Sequence, residues 1–555
     1  MTALAGLADA RPSRGWLLAA AYPVVALLAA AFIAYPLLEL LGRAVVVDAS
    51  VSIAPLVNLL ADRHVRQVGW NTLLLGGTVA LLGTLLAMLY AYAMTRVALP
   101  WKPLWHFIAL LPTISPPVLM ALSLILLYGR RGLVTHEMLG LDTTALYGFR
   151  GLVVAQILSY FPFAYLLLQN LFRNLDASLE EAAGTMGAPP RRVFTTVMLP
   201  LLLPGLASSI VLLASYSFAD LGNPLLLGGD FDVLSSLIYQ TIIGMYNVPR
   251  GAALAVILLL PAALLFFLNK HLARKSGHAS VGARASLTHR QSEDRWQKTA
   301  ALVLVGGVSL VILLQYATVF AGATTRLFGI NNALTLRHFA AVMTDQRSAL
   351  LDTISLAVMA SVVAAIAGTL VAYYIARTDF ALRNVLDFVV SLPLAIPGTV
   401  IGLGFALAFN HSPLVLTGTA LIIVIAFSVR SLPYTVRSGV VAMGQLHRSL
   451  DEASTCMGAT REQTLWRVLL PLVRPALVAG MIFTFTRSVT TLSAVIFVVS
   501  PHWSLVTPAI LSQMDRGDVG EAAALSIILV ALVLTVIHGV PRLFGRDWRD
   551  RMKDA

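Results

Sequence analysis

The residues best placed to act lie in two polar stretches that share one layout. The first reads Glu180-Glu181-Ala182-Ala183-Gly184-Thr185-Met186-Gly187, then nine residues, then Val197-Met198-Leu199-Pro200. The second reads Asp451-Glu452-Ala453-Ser454-Thr455-Cys456-Met457-Gly458, then nine residues, then Val468-Leu469-Leu470-Pro471. Paired carboxylates can do acid–base chemistry only with partners. The sequence offers neither a nucleophile–base constellation nor a His-Glu-x-x-His zinc site to go with them. Their spacing fits a short capped helix instead. An acidic first turn suits the dipole of a short helix. Ala182, Ala183, Ala453 and Ser454 are small and leave a surface that another protein can approach closely. Gly187 and Gly458 stand where a left-handed cap would end the helix. Pro200 and Pro471 then mark the return toward the membrane. The expectation is a rigid knob at about 173–204 and another at about 444–475.

A second set consists of charges inside apolar stretches, where they are costly and point to function. Asp220 falls in the fifth such stretch, Arg430 in the tenth and Arg487 in the eleventh. Tyr216 stands one helical turn before Asp220 and aligns with Arg487 in the repeat described below. Asp220 and Arg487 are expected to face a central water-filled path, as partners across a twofold axis; the alternative is a satisfied interhelical polar contact. Arg430 has an alternative, snorkelling toward the cytoplasm.

The elements that must hold these residues follow from composition. Of 555 residues 58% are hydrophobic and 12% charged. An average soluble domain carries about 25% charged residues. The chain therefore reads as an all-α polytopic membrane protein. A single cysteine, Cys456, excludes a disulfide framework and a cysteine-built metal cluster. Twelve apolar runs begin near Trp16, Val68, Leu104, Tyr147, Gly205, Gly251, Lys298, Leu350, Val385, Val415, Pro475 and Ala522. The first is too long for a signal-peptide core and reads as a retained anchor. With a cytoplasmic N-terminus, 26 of the 39 Lys and Arg fall in inside segments and 11 in outside loops. That bias predicts both termini in the cytoplasm. The net charge of +12 is thus mostly orientation signal and attraction to membrane lipid. Dispersed basic residues argue against nucleic-acid binding.

The chain repeats itself. Asn71-Thr72 to Arg96 aligns with Asp352-Thr353 to Arg377 at an offset of 281, which also carries Pro112 onto Pro393 and Pro116 onto Pro397. Further on the offset is 271, and Pro162 meets Pro433, Glu181 meets Glu452, and Gly187 meets Gly458. The expected organisation is a first half over 1–275, a cytoplasmic linker over 276–297 and a second half over 298–555. Six spans in each half give both the same orientation and a pseudo-twofold axis along the membrane normal. Pro112, Pro116, Pro117, Pro393 and Pro397 should kink the third and ninth spans. Leu221 to Asp230 should break the fifth. Val233–Tyr246 and Leu505–Met514 read as short outer helices.

The two polar stretches resemble the Glu-Ala-Ala signature of ABC importer permeases, with Gly and Leu-Pro at the signature spacing. Ser454 departs from its second Ala, small for small. With two fused six-span halves, the chain looks like the ferric-iron permease group of the type I importers. The resemblance implies that each knob is a coupling helix seated in an ATP-hydrolysing subunit. It implies two copies of that ATPase, and a periplasmic or extracellular solute-binding protein at the outer face. It also implies a multi-pass protein of the bacterial inner membrane.

No Gly-x-x-x-x-Gly-Lys-Ser/Thr loop is present, and none of the five lysines follows a glycine. The chain is therefore not expected to be an enzyme or to hold a cofactor; ATP and Mg belong to partner subunits. Ferric iron is the first expectation for the solute, by resemblance alone. The fused layout also looks like permeases for 2-aminoethylphosphonate and thiamine. A secondary transporter with parallel repeats would need intramembrane acids, and Asp220 is nearly alone.

Overall fold

Apolar runs of this length satisfy every backbone group within themselves when helical, so helix is the only element they can form in lipid. The computed structural model describes residues 16–47, 50–277, 291–412 and 414–543. Among them eleven helices are long and apolar enough to span a membrane, and a bent helix pair makes a twelfth. The first six spans are Trp16–Val45, Arg63–Arg96, Lys102–Ile114 continued by Val118–Met138, Phe149–Asn174, Arg191–Ala219 and Val248–Leu272. The second six are Arg295–Thr324, Arg347–Arg377, Arg383–Ala395 continued by Gly398–Ala408, Ala420–Gln445, Arg461–Thr490 and Val519–Arg542. The only strands among the described residues are two short hairpins, each following the first span of its half.

The prolines act as expected, and more strongly than a kink. The third span stops at Ile114 and restarts at Val118. The ninth stops at Ala395, restarts at Gly398 and turns through 113°. A residue before proline is driven out of the helical region. Ser115 and Ile396, each preceding a proline, are both extended. Both spans also start from a strained turn: Trp101 and Leu382, one repeat apart, have φ of 53° and 64°.

The fifth span ends earlier than the sequence suggests. Its helix stops at Ala219, so Asp220 is the residue that caps it rather than a member of the span. Gly222–Leu227 then forms a separate short helix. The two outer helices are present as Leu234–Gly244 and Val506–Arg516. Both are pinned the same way. Thr72 Oγ1 accepts the backbone N–H of Leu234, and Thr353 Oγ1 accepts that of Val506, each at 2.9 Å.

The two halves do not pack as separate bodies. The first span lies against the sixth span and against the ninth, across the repeat boundary. The seventh lies against the twelfth and against the second and third. One buried apolar cluster therefore joins the first and sixth spans to the eighth to eleventh. The other joins the second to fifth spans to the seventh and twelfth. Glu462 adds a polar clasp at 3.1 and 3.3 Å, accepting from the backbone N–H groups of Leu17 and Leu18 at the start of the first span. A carboxylate there complements the helix dipole.

Of the expected linker, residues 278–290 lie outside the described residues, as do Arg11, Arg14 and the basic residues after Arg542. The end of the linker is tied to the first half. Ser292 N–H donates to the Arg96 carbonyl at 2.8 Å, and its own carbonyl accepts from Ala98 N–H at 3.1 Å.

Candidate functional site

Each polar stretch folds as a short helix followed by a tight cap. The first loop helix is Ala177–Thr185 and the second is Ser449–Cys456. Gly187 and Gly458 adopt φ of 81° and 80°. The hydrogen bonds around them are those of a Schellman cap. Gly187 N–H donates to Gly184 O at 2.9 Å, and Ala188 N–H donates to Ala183 O at 3.1 Å. In the second loop Gly458 N–H donates to Thr455 O at 2.9 Å, and Ala459 N–H donates to Ser454 O at 3.0 Å.

The paired acids divide their labour. Glu180 turns inward and meets Arg96, the last residue of the second span, at 2.6 Å. Asp451 does the same with Arg377, the last residue of the eighth span, at 2.8 Å. Both arginines are buried to 5% exposure, so these are not solvent-screened surface pairs. Each guanidinium also donates to the end of the preceding span: Arg96 to Phe172 O at 3.1 Å, and Arg377 to Leu446 O at 2.7 Å and to Met443 O. One arginine thus locks a loop helix to two spans at once. Arg96 and Arg377 close the repeat alignment in the sequence. Nothing local links them to the acids that follow 84 and 74 residues later. Their shared position at the end of matched spans was the available signal.

Glu181 and Glu452 are exposed, as are Ala182 and Ala453. Met186 and Met457, one repeat apart, are 88% and 83% exposed at the cap. Leu179 and Leu450, also matched, are exposed beside them. Each loop thus exposes one acid and two apolar side chains. Ala183 is half-buried, whereas its mate Ser454 is buried and shares a 2.8 Å hydrogen bond with Thr464. The first half has Val193 where the second has Thr464, so the serine and its partner changed together.

The intramembrane residues also converge. Asp220, Tyr216, Arg430 and Arg487 all line one cavity of about 50 Å³, together with Tyr160 and Thr490. The expected Asp220–Arg487 pair is not formed. Asp220 Oδ2 accepts from Gln156 Nε2 at 2.9 Å and from Asn223 Nδ2 at 2.7 Å. Helix termination at Ala219 turns the carboxylate toward these amides, and Arg487 lies beyond 4.0 Å. Arg487 instead stands over Tyr216 and Phe163, with centroid distances of 5.9 and 6.0 Å. Arg430 does not snorkel. It donates to Pro393 O at 3.0 Å and Ile396 O at 2.8 Å, carbonyls that the proline break leaves without helical partners.

A larger cavity of about 770 Å³ meets the small one at Arg487, which lines both. Its other walls include Thr113, Phe163, Phe483 and, at the end of the twelfth span, Pro541 and Arg542. That end lies on the face that carries the loop helices. A hollow therefore leads from this face to the cluster of Asp220, Arg430 and Arg487.

Comparison with known proteins agrees with this geometry. The binding-protein-dependent transport system inner membrane component family matches residues 79–278 and again 342–550. The ferric transport system permease protein FbpB of Actinobacillus pleuropneumoniae is 31% identical over 491 residues, covering 87% of this chain and 72% of that protein. A putative ferric transport system permease of Haemophilus influenzae is 31% identical over 479 residues, covering 84% of this chain and 76% of that one. A putative 2-aminoethylphosphonate transport system permease of Salmonella typhimurium is 28% identical over 216 residues, 39% of this chain and 82% of its own length. With the family matched in both halves, the chain belongs to the binding-protein-dependent transport inner membrane components, as a fused two-half permease of an ABC importer.

Proposed function

We propose that the two loop helices are the points where ATP-driven force enters, one ATPase subunit on each. Glu181 and Glu452, with Leu179 and Met186 or Leu450 and Met457 exposed on the same loops, form the surface that the subunit grips. Glu180 and Asp451 hold that surface to the spans through Arg96 and Arg377. The single observation that carries this is the matched exposure of acid and methionine on two arginine-locked helices. In this reading ATP and Mg stay with the partners and the chain itself holds no cofactor. The loop-bearing face is cytoplasmic, and a binding protein delivers solute to the other face. Movement of the helices would shift the second and eighth spans and reshape the hollow that ends at Arg487.

The solute we propose is ferric iron, supported by the two long relatives named for ferric transport. The path favours a form whose charge is masked by an anion. Arg430 and Arg487 line the narrow cavity, and Asp220 is already engaged by Gln156 and Asn223. A bare trivalent cation would meet two guanidinium groups there. The same arginines support a second reading, a phosphonate solute, since guanidinium pairs well with phosphonate-like oxygens.

The test is reconstitution in proteoliposomes with the cognate ATPase and binding protein. Gly187→Pro/Gly458→Pro should abolish binding-protein-stimulated ATP hydrolysis; stimulation at the parental level would overturn coupling through the loops. Uptake of radiolabelled iron is expected. Uptake of 2-aminoethylphosphonate without iron would select the second reading.

A further inference from the structure

Charge bias assigns 11 basic residues to the loops opposite the loop helices. Four of these exceptions gather in one place. Arg130 and Arg131 follow the third span, and Arg326 and Arg337 follow the seventh. All four line a single cavity of about 490 Å³. All four are exposed, and among the described residues none forms an ion pair within 4.0 Å. Asp518 is the one acid among the lining residues.

The cavity is a built one. His338 is buried at its base and bonds the Thr325 carbonyl at 3.0 Å. A Cβ on Gly520 would sit 2.3 Å from the His338 ring, so the twelfth span approaches it as closely as glycine permits. Arg337 donates to the Arg326 backbone carbonyl at 2.6 Å, which fixes the Arg337 guanidinium over the seventh-span end. The cavity also has apolar lining, with Ile125, Leu126, Phe328 and Val519. The seventh span that forms one side is among the least buried in the molecule.

The matching place in the other half is different. There the end of the ninth span meets the first span, and Glu39 neutralises the one arginine, Arg43. Arg43 lies 3.0 Å from Glu39, and His411 lies 3.4 Å from it. The four-arginine cavity has no such internal carboxylate bridge.

Four guanidinium groups against the single lining carboxylate of Asp518 leave the hollow with an excess of positive charge that favours an anion. Guanidinium groups take phosphate oxygens in bidentate fashion. A basic rim above an apolar wall at a span end fits an amphiphile. We propose that this cavity binds the phosphate headgroup of an anionic phospholipid, with its acyl chains along Ile125, Leu126 and Val519. The site is separate from the path, which is lined by Asp220, Arg430 and Arg487. It would tether the joint between the first half and the exchanged seventh span.

The experiment uses the full chain in mild detergent, with native mass spectrometry and thermal unfolding as readouts. Phosphatidylglycerol should give retained adducts and a raised unfolding temperature; phosphatidylcholine should give neither. Arg130→Gln/Arg326→Gln should weaken phosphatidylglycerol retention by about tenfold or more. Arg63→Gln/Arg66→Gln, on the same face but outside the cavity, should leave it unchanged. Equal retention of both lipids by the parent protein would overturn the proposal without reference to any variant. So would full retention by the cavity variant, or stabilisation by inorganic phosphate alone equal to that by the lipid. Loss of binding-protein docking in the cavity variant with lipid retention intact would assign the arginines to that partner and overturn it too.

Discussion

Arg96 holds Glu180 at 2.6 Å, and one repeat away Arg377 holds Asp451 at 2.8 Å. The caps at Gly187 and Gly458 agree within a degree of φ. The path lining shows the opposite behaviour. Asp220 in the first half corresponds to Thr491 in the second, and Arg487 corresponds to Tyr216. The broken spans differ too. Arg430 satisfies the carbonyls freed in the ninth, while in the third Ser115 bonds Pro112 O and Tyr316. On the proposed function, each loop meets a copy of one ATPase partner, and the two are under the same geometric demand. A path around one solute is not, because both halves surround the same molecule and need not present the same groups to it.

The sharpest way to break the loop symmetry is to remove one lock. Arg96→Met leaves Glu180 partly buried without its partner and should destabilise the protein by about 3–5 kcal/mol. Arg377→Met should do the same to the second loop, read by thermal unfolding. Arg96→Met/Glu180→Leu should recover a large part of the loss, since no charge is then left unpaired. A double mutant no more stable than the single would show that the ion pair is not the lock.

Next in size is the cap. Proline at position 187 or 458 cannot take the left-handed φ, at a cost of about 3 kcal/mol or more. Stimulated ATP hydrolysis should fall by about a hundredfold on that scale. The two single variants should be equally impaired. A defect confined to one would show that the loops are unequal.

Making the path symmetric gives a smaller effect of a different kind. Arg487→Tyr copies the first half into the second. It should lower solute uptake by about tenfold, or about 1.4 kcal/mol, while ATPase subunits still co-purify. Parental uptake would remove Arg487 from the path. The smallest effect tests the serine departure. Ser454→Ala should cost about 1 kcal/mol by removing the hydrogen bond to Thr464, whose hydroxyl keeps only the Thr460 carbonyl. Ser454→Ala/Thr464→Val, which restores the pairing of Ala183 with Val193, should lie within about 0.5 kcal/mol of the parent.

Much of the fold was legible because membrane helices are set by local composition. Apolar runs located the spans, prolines located both breaks, and matched registration revealed the duplication. The knobs were legible because their helix and cap are local motifs. Where sequence reasoning failed, the missing information was orientation of a side chain in space. Asp220 and Arg487 are opposite charges near one depth, which suggests a pair. The early end of the fifth span turns Asp220 toward Gln156 instead. Arg430 reads as a functional or snorkelling charge, yet it serves carbonyls that lack helical donors only because a different span is broken.

By itself, then, the sequence determined the all-helical character, the twofold repeat and the two capped loop helices. These rest on hydropathy, on proline and glycine stereochemistry, and on spacing within a few turns. The tertiary structure alone decided which acid of each pair faces inward, which span each half lends to the other, and which arginines share a hollow. Those outcomes depend on contacts between residues tens to hundreds of positions apart, and local periodicity carries no record of them.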